Sequence, residues 1–242
     1  MTSAHHAPSF DAAGLCPGLY EVSLPDGVPP GTRVWRLDLA RASGWREQAL
    51  ALLDAGERQR NARFIHQADA DRHALSHAAL RCLLGAWLET PAGGLRLSIG
   101  AGGKPFLAEA AAAHFNLSHA GGHALIGLSS NHAIGIDLEV IDPNRPIGSL
   151  ASMLMSSEER ACCGTPCSPE AFYRIWTARE AVFKAWGSGL RDDLASWTML
   201  PLQGDAELGV SGPGPMPGPT RLWELSVPAG HAAALALLTL PG

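Results

Sequence analysis

The sequence predicts an α+β fold in two lobes, and three observations carry that expectation. Residues 34–39 and 134–140 alternate apolar and polar side chains with period two, the pattern of a strand with one covered face. Two long helical stretches, 69–89 and 168–186, fall one in each half of the chain. Strand-like and helical stretches are mixed in order, with no internal repeat. The expected organisation is an extended N-terminal arm over 1–32, rich in Pro, Gly and small residues, then one lobe over 33–131 and a second over 132–242.

Taken in order, Val34, Trp35, Arg36, Leu37, Asp38 and Leu39 read as a strand, and a helical stretch follows over 47–64. Asp69 or Asp71 is placed to cap the long helix that ends near Glu89. Leu75, Ala79, Cys82, Leu83 and Ala86 share one face of it, and Leu80 and Leu84 make another side apolar, so the helix is expected to be buried. Gly100 to Pro105 forms a glycine-rich turn. Residues 114–118 and 123–129 read as strands around a Gly121-Gly122 turn. In 134–140, Ile134, Ile136, Leu138 and Val140 alternate with Gly135, Asp137 and Glu139. Ser168-Pro169-Glu170 is a helix start, with Gly187 or Gly189 as the stop. Strand-like segments at 197–202, 221–227 and 231–240 complete the chain, broken by a loop over 211–219.

Composition narrows the function classes. Of 242 residues, 46% are hydrophobic and 17% charged, which describes a soluble globular protein. The longest apolar run is too short to span a bilayer, and the N-terminus lacks a signal-peptide pattern, so a cytoplasmic protein without membrane contact is expected. Five cysteines without a regular framework read as reduced thiols. Cys162, Cys163 and Cys167 cluster but lack the C-x2-C step of a zinc site. A net charge of −5 excludes general nucleic-acid binding. The basic residues are uneven: residues 33–81 hold nine arginines against six acids. Only Lys104 and Lys184 are lysines, which is the residue chosen where a compact point charge is wanted.

Several residues are placed to carry chemistry. Asp137 and Glu139 lie two apart on a strand, so both carboxylates project from one face, about 7 Å apart at the backbone. Either that face is solvated or a hard cation such as Mg²⁺ offsets the repulsion. Glu180 and Lys184 stand at i and i+4 on a helix, with Arg179 beside them, an arrangement that an exposed ion-paired face explains equally well. Ser118 and His119 are adjacent at a strand end and therefore point to opposite faces, and no G-x-S-x-G elbow surrounds the serine, which argues against a hydrolase. His73 and His77 have ligand spacing without the Glu of H-E-x-x-H and read as buried or boundary histidines. Gly102-Gly103-Lys104-Pro105 permits close backbone approach and adds a cation, without the spacing of a phosphate-cradling P-loop.

In sequence order these fragments resemble the Sfp-type 4′-phosphopantetheinyl transferases. The resemblance rests on Gly103-Lys104-Pro105, on Phe115-Asn116-Leu117-Ser118-His119, and on Ile134-Gly135-Ile136-Asp137-Leu138-Glu139. To these add Trp176 through Lys184 followed by Gly187-Ser188-Gly189-Leu190, a weaker Ser156-x-x-Glu159 element, and a basic segment with Arg60, Arg63, Phe64 and Arg72.

That resemblance implies a pseudo-twofold pair of similar lobes, each an antiparallel sheet packed on a long helix, with the active site at the lobe interface in a monomer. It implies transfer of the phosphopantetheine arm of coenzyme A to a serine of an apo acyl or peptidyl carrier protein, releasing adenosine 3′,5′-bisphosphate. By resemblance Asp137, Glu139 and Glu180 hold Mg²⁺, with Mn²⁺ as a substitute. Glu180 is then the general base, and Lys184 neutralises pyrophosphate charge. Ser118 and His119 bind phosphate oxygens, Arg60 and Arg72 bind the 3′-phosphate or nearby groups, and Lys104 and Pro105 border the nucleotide. Arg179 stands where the family usually has lysine and is expected beside the cofactor; Glu57 stands where some relatives have a basic residue. The rival reading is a catalytically silent coenzyme A-binding scaffold or regulator, against which the retained acidic trio and Lys184 argue.

Overall fold

The computed structural model describes residues 10–12, 14–100, 102–107, 113–188, 194–201 and 207–240. They form two compact units. The first comprises the chain up to Ser23 with Pro29–Ser98 and Pro105–Asn131; the second comprises Leu24–Val28, Ile99–Lys104 and the chain from His132 on. Each is a mixed α/β unit with an antiparallel sheet. Among the described residues no helix is long and apolar enough to cross a membrane.

In the first unit β1 (Leu19–Glu21) and β2 (Thr32–Asp38) lead into α1 (Leu39–Ala42), α2 (Arg46–Leu52), α3 (Ala55–Asn61) and α4 (Gln67–Trp87). The short strands β3 (Leu97–Ile99) and β4 (Pro105–Leu107) flank the glycine-rich turn, and β5 (His114–Ala120) and β6 (His123–Ser129) follow. The sheet order is β1-β2-β6-β5. Part of the stretch read as an extended arm is built into this unit: Leu19 pairs with Leu37, and Ala12, Cys16 and Leu19 are buried in its core. Residues 1–9 lie outside the described residues.

Two helix boundaries differ from expectation. The stretch 47–64 is broken, because Asp54 accepts a hydrogen bond from the Glu57 N–H while the Glu57 carboxylate accepts one from the Asp54 N–H. This reciprocal cap restarts the helix, and its D-x-x-E signature lies within a run that reads as continuous. α4 begins at Gln67, and neither aspartate caps it. Asp69 instead pairs with Arg72 at 3.1 Å, and Asp71 pairs with Arg46, so both carboxylates are spent sideways. As expected, α4 is buried on most sides: Leu75, Ala78, Ala79 and Leu83 join Trp35, Leu37, Phe115 and Ile126 in one core.

Arg81 of α4 is fully buried. Its Nε donates to Glu57 at 2.6 Å, another nitrogen donates to Asp54, and a third donates to the Leu95 carbonyl at 3.0 Å. The guanidinium therefore ties the α3 cap to α4 and to the chain beyond it. Five donors in a planar fork make this possible; an ammonium has no such reach.

The second unit runs β7 (His132–Val140), α5 (Ile147–Leu154), α6 (Ser157–Cys163) and α7 (Pro169–Trp186). Then come β8 (Thr198–Pro201), β9 (Glu207–Ser211), β10 (Thr220–Glu224) and β11 (His231–Thr239). Its sheet order is β7-β11-β10-β9-β8. The strand β9 has no counterpart in the sequence reading. Ser168 caps α7 by accepting from the Ala171 N–H, with Pro169 in the first turn, and Gly187 ends the helix in the left-handed region at φ 68°. Gly189, Leu190 and Leu202 lie outside the described residues.

Burial opposes the charge on Glu57, but hydrogen bonds from His77 and the Asp54 N–H, with the Arg81 charge, outweigh it and hold the carboxyl at about 2. A carboxyl depressed in the fold adds stability that is present above its unfolded value and is lost as pH falls toward the folded one. Denaturant melts should therefore show a loss of about 3 kcal/mol attributable to this group between pH 5 and pH 2. The Glu57→Gln variant should be less stable at pH 7 and should flatten that part of the profile; an unchanged profile would contradict the assignment.

Candidate active site

β7 and α7 build a cluster of charge in the second unit, and a glycine decides how. A Cβ on Gly135 would stand 1.9 Å from the Ala181 carbonyl oxygen and 2.4 Å from the Ala185 nitrogen. Only a glycine admits the helix backbone this close. Asp137 and Glu139 share the face of β7 that carries Gly135, so the polar face of this strand turns toward α7 rather than to solvent. Glu180 and Lys184 each precede one of the two alanines seated on Gly135, and so leave the helix beside the contact line.

The result is a partly buried group of opposite charges. Lys184 Nζ donates to Asp137 Oδ1 at 2.5 Å; the lysine side chain is 29% exposed and that of the aspartate 4%. Glu139 is pushed up by burial and by the Asp137 charge, against a hydrogen bond from the Trp176 indole and the charges of Lys184 and Arg145. Glu180 is pushed up by burial and Asp137, with Lys184 opposing and Glu139 adding to the rise. Trp176 and Arg145 are contributors that sequence reasoning left without a role, although Trp176 opens the motif that carries Glu180.

As the side chains stand, no three His, Cys, Asp or Glu groups among the described residues are close enough to hold a metal ion together. The donor set still fits a hard divalent cation in kind. Asp137, Glu139 and Glu180 offer oxygen ligands only, and their mutual repulsion, read in the raised Glu139 and Glu180, favours any added positive charge.

Arg179 is corrected by the structure. It is 1% exposed, its guanidinium held in the interior. Its guanidinium pairs with Glu159 and donates to the Leu154 carbonyl and, at 2.9 Å, to the Trp197 carbonyl. Glu159 also accepts from the Met199 N–H at 2.8 Å and from the Ser156 N–H at 2.9 Å. The S-x-x-E element is thus the reciprocal cap of α6, whose glutamate anchors α7 through Arg179. Lys104 is likewise engaged: its Nζ donates to the Ile134 carbonyl of β7 at 2.7 Å, and burial pulls the amine down to about 8.

The remaining expected site residues lie in the first unit. Pro105 opens β4. On β5, Ser118 is buried and His119 is exposed, and their adjacent positions put them on opposite faces of the sheet. His119 shares its face with Phe115 and Leu117, which pack with α4 in the core. Arg60 is exposed on α3 and its charge reaches His73. Arg72 is separate from that group. It is paired with Asp69 and lines a cavity of about 260 Å³ with Arg46, Asp71, Gly121 and Gly122.

Two family models match the chain. One, the 4′-phosphopantetheinyl transferase superfamily, covers residues 133–235, and the other, 4′-phosphopantetheinyl transferase, N-terminal, covers 41–131. A putative 4′-phosphopantetheinyl transferase of Synechocystis is 33% identical over 170 residues, 64% of this chain and 69% of that protein. The 4′-phosphopantetheinyl transferase HetI of Nostoc is 30% identical over 163 residues, 65% and 69% of the two chains. The enzyme Sfp of Bacillus subtilis is 28% identical over 171 residues, 69% and 74%.

Because the obstruction at Gly135 is backbone, it cannot be relieved by a side-chain rotation. Gly135→Ala is expected to cost about 3 kcal/mol in denaturant melts and to separate Glu180 and Lys184 from Asp137 in the surviving fold. A neutral Gly135→Ala substitution would refute the close-approach account.

Proposed function

This chain belongs to the 4′-phosphopantetheinyl transferase family and transfers the phosphopantetheine arm of coenzyme A, and we propose that the β7–α7 charge cluster performs the transfer. The observation that carries this reading is the seam at Gly135, which gathers Asp137, Glu139, Glu180 and Lys184 beside one another. The acceptor is a serine hydroxyl of an apo acyl or peptidyl carrier protein, and the leaving product is adenosine 3′,5′-bisphosphate. The chain acts as a cytoplasmic monomer.

Phosphoryl transfer asks little covalent chemistry of the protein; positioning and charge stabilisation dominate. Glu180 takes the proton of the attacking hydroxyl, directly or through water. Lys184 is a compact cation at the edge of the seam. It leaves Asp137 for the pyrophosphate as negative charge builds there, which supplies stabilisation where the transition state needs it. Asp137, Glu139 and Glu180 would hold Mg²⁺, which when bound neutralises pyrophosphate charge. In the first unit Ser118, His119 and Arg60 take phosphate oxygens of the coenzyme. Arg179 acts from beneath, by fixing the pitch of α7 against α6.

Intact mass spectrometry of apo carrier proteins incubated with this protein, coenzyme A and Mg²⁺ tests the proposal. One phosphopantetheine arm should be added, with the rate reduced by about 10²–10⁴ in Glu180→Gln and abolished by EDTA. Tight coenzyme A binding without any gain in mass on any carrier would replace this reading with that of a silent scaffold.

A further inference from the structure

Three of the five cysteines stand where α6 hands over to α7. Cys163 is the last residue of α6, and Cys167 directly precedes Ser168, the residue that caps α7. Between them Gly164 takes φ 85°, a left-handed conformation that glycine adopts without strain. The connection folds back there, and the Cys163 thiol meets that of Cys167 in a hydrogen bond. Cys163 is 6% exposed among Ile147, Ala151 and Phe172, and Cys167 packs against the same cluster. Cys162 is exposed, turned away from its neighbour by about 100° of helix.

The two paired thiols differ in what they can do. Cys163 Sγ donates to Met155 Sδ at 3.7 Å, inside the apolar cluster. Burial pushes Cys163 up to about 12, with the Cys167 hydrogen bond and the charges of Cys167, Glu159 and Cys162 adding to the rise. At neutral pH it is a protonated thiol and a poor first nucleophile. Cys167 is partly exposed, its Sγ 3.6 Å from the Ser168 carbonyl oxygen. An oxidant arriving from solvent reaches Cys167 first and has Cys163 behind it, the arrangement of an attacking and a resolving thiol. Among the described residues no third His, Cys, Asp or Glu completes a metal site with this pair, which leaves it to thiol chemistry.

We propose that Cys163 and Cys167 form a reversible dithiol–disulfide couple, oxidised by small-molecule disulfides of the glutathione class. Cys167 Sγ gives up its proton and attacks one sulfur of the small disulfide. That S–S bond breaks, and one thiol leaves carrying the proton. Cys163 then gives up its own proton and attacks Cys167 Sγ, expelling the second thiol, which takes that proton. In sum two protein thiols are oxidised to one disulfide, and one small disulfide is reduced to two thiols. The new bond joins the end of α6 to the start of α7, one helical turn beyond Glu159, which already anchors α7 through Arg179. In a reducing compartment the couple rests as the dithiol and closes when the thiol–disulfide balance shifts. It stands apart from the coenzyme A reading and does not depend on it.

Oxidation of the folded protein with oxidised glutathione, followed by alkylation with iodoacetamide and cleavage with trypsin, tests the proposal. Arg160 and Arg174 bound one peptide that carries all three cysteines. That peptide should lack two hydrogens and bear a single alkyl group, which fragment ions should place on Cys162. Treatment with a thiol reductant before alkylation should return all three cysteines to the alkylated form. In Cys163→Ser the ring cannot close, and glutathione should remain on Cys167. Closure in Cys162→Ser should run within about twofold of the wild-type rate. The proposal is overturned by a glutathione adduct on wild-type Cys167 that never closes, by a disulfide that includes Cys162, or by three alkylated cysteines after oxidation. The wild-type fragment ions locate the bond without any variant, so the test stands even if Cys163→Ser does not fold.

Discussion

The close approach of α7 to β7 at Gly135 is the constraint on which the rest of the second unit depends. The helix carries Glu180 and Lys184, the strand carries Asp137 and Glu139, and neither pair is unusual alone. What makes them a site is a separation small enough that a single Cβ would not fit between the two backbones. Ala181 and Ala185 provide the matching smooth stripe on the helix, and Ala234 and Ala236, paired with Asp137 and Gly135 on β11, continue it across the sheet. Small residues at the seam and charged residues beside it belong to one arrangement. The first set brings two backbones together so that the second set is partly withdrawn from water, where charges act on one another strongly.

Arginine and lysine are divided between structural and chemical duties. Arg81 and Arg179 are fully buried, each joined to a glutamate that also closes a helix cap, Glu57 in α3 and Glu159 in α6. In both units, then, one acidic residue fixes a helix start and one guanidinium ties that start to the long helix. Removing either partner of such a pair leaves an uncompensated buried charge, which costs about 3–5 kcal/mol. Lys184 works differently, as a single ammonium at the edge of the seam with a third of its side chain in reach of solvent. A flexible stem lets it change partners, where a guanidinium forked into several carbonyls is held in place.

This division explains why Arg179 looks functional in a linear reading. It sits directly before Glu180 in the motif, yet consecutive helix residues differ by about 100° in direction, and Arg179 points into the protein while Glu180 points out of the seam. The same geometry separates Arg72 from His73 on α4. The basic stretch reads as one patch in sequence, whereas folding assigns Arg72 to a cavity with Arg46, Arg60 to the exposed side of α3, and Arg81 to the interior.

Much was determined by the sequence alone. Period-two alternation located β2 and β7, the Ser-Pro-Glu start and Gly187 stop delimited α7, and the order of short motifs identified the family, because these signals are local and each is written within a few residues. Local rules also carried the reciprocal caps at Asp54 and Ser156, which a stricter use of the D-x-x-E and S-x-x-E patterns would have found. Only the tertiary structure decided the rest. It turned the polar face of β7 inward, buried Arg179 against Glu159, and set Trp176 and Arg145 to act on Glu139. The physical reason is that burial and pairing depend on which atoms lie across a seam, and the residues facing one another there are up to about fifty positions apart in the chain, as Asp137 and Lys184 are.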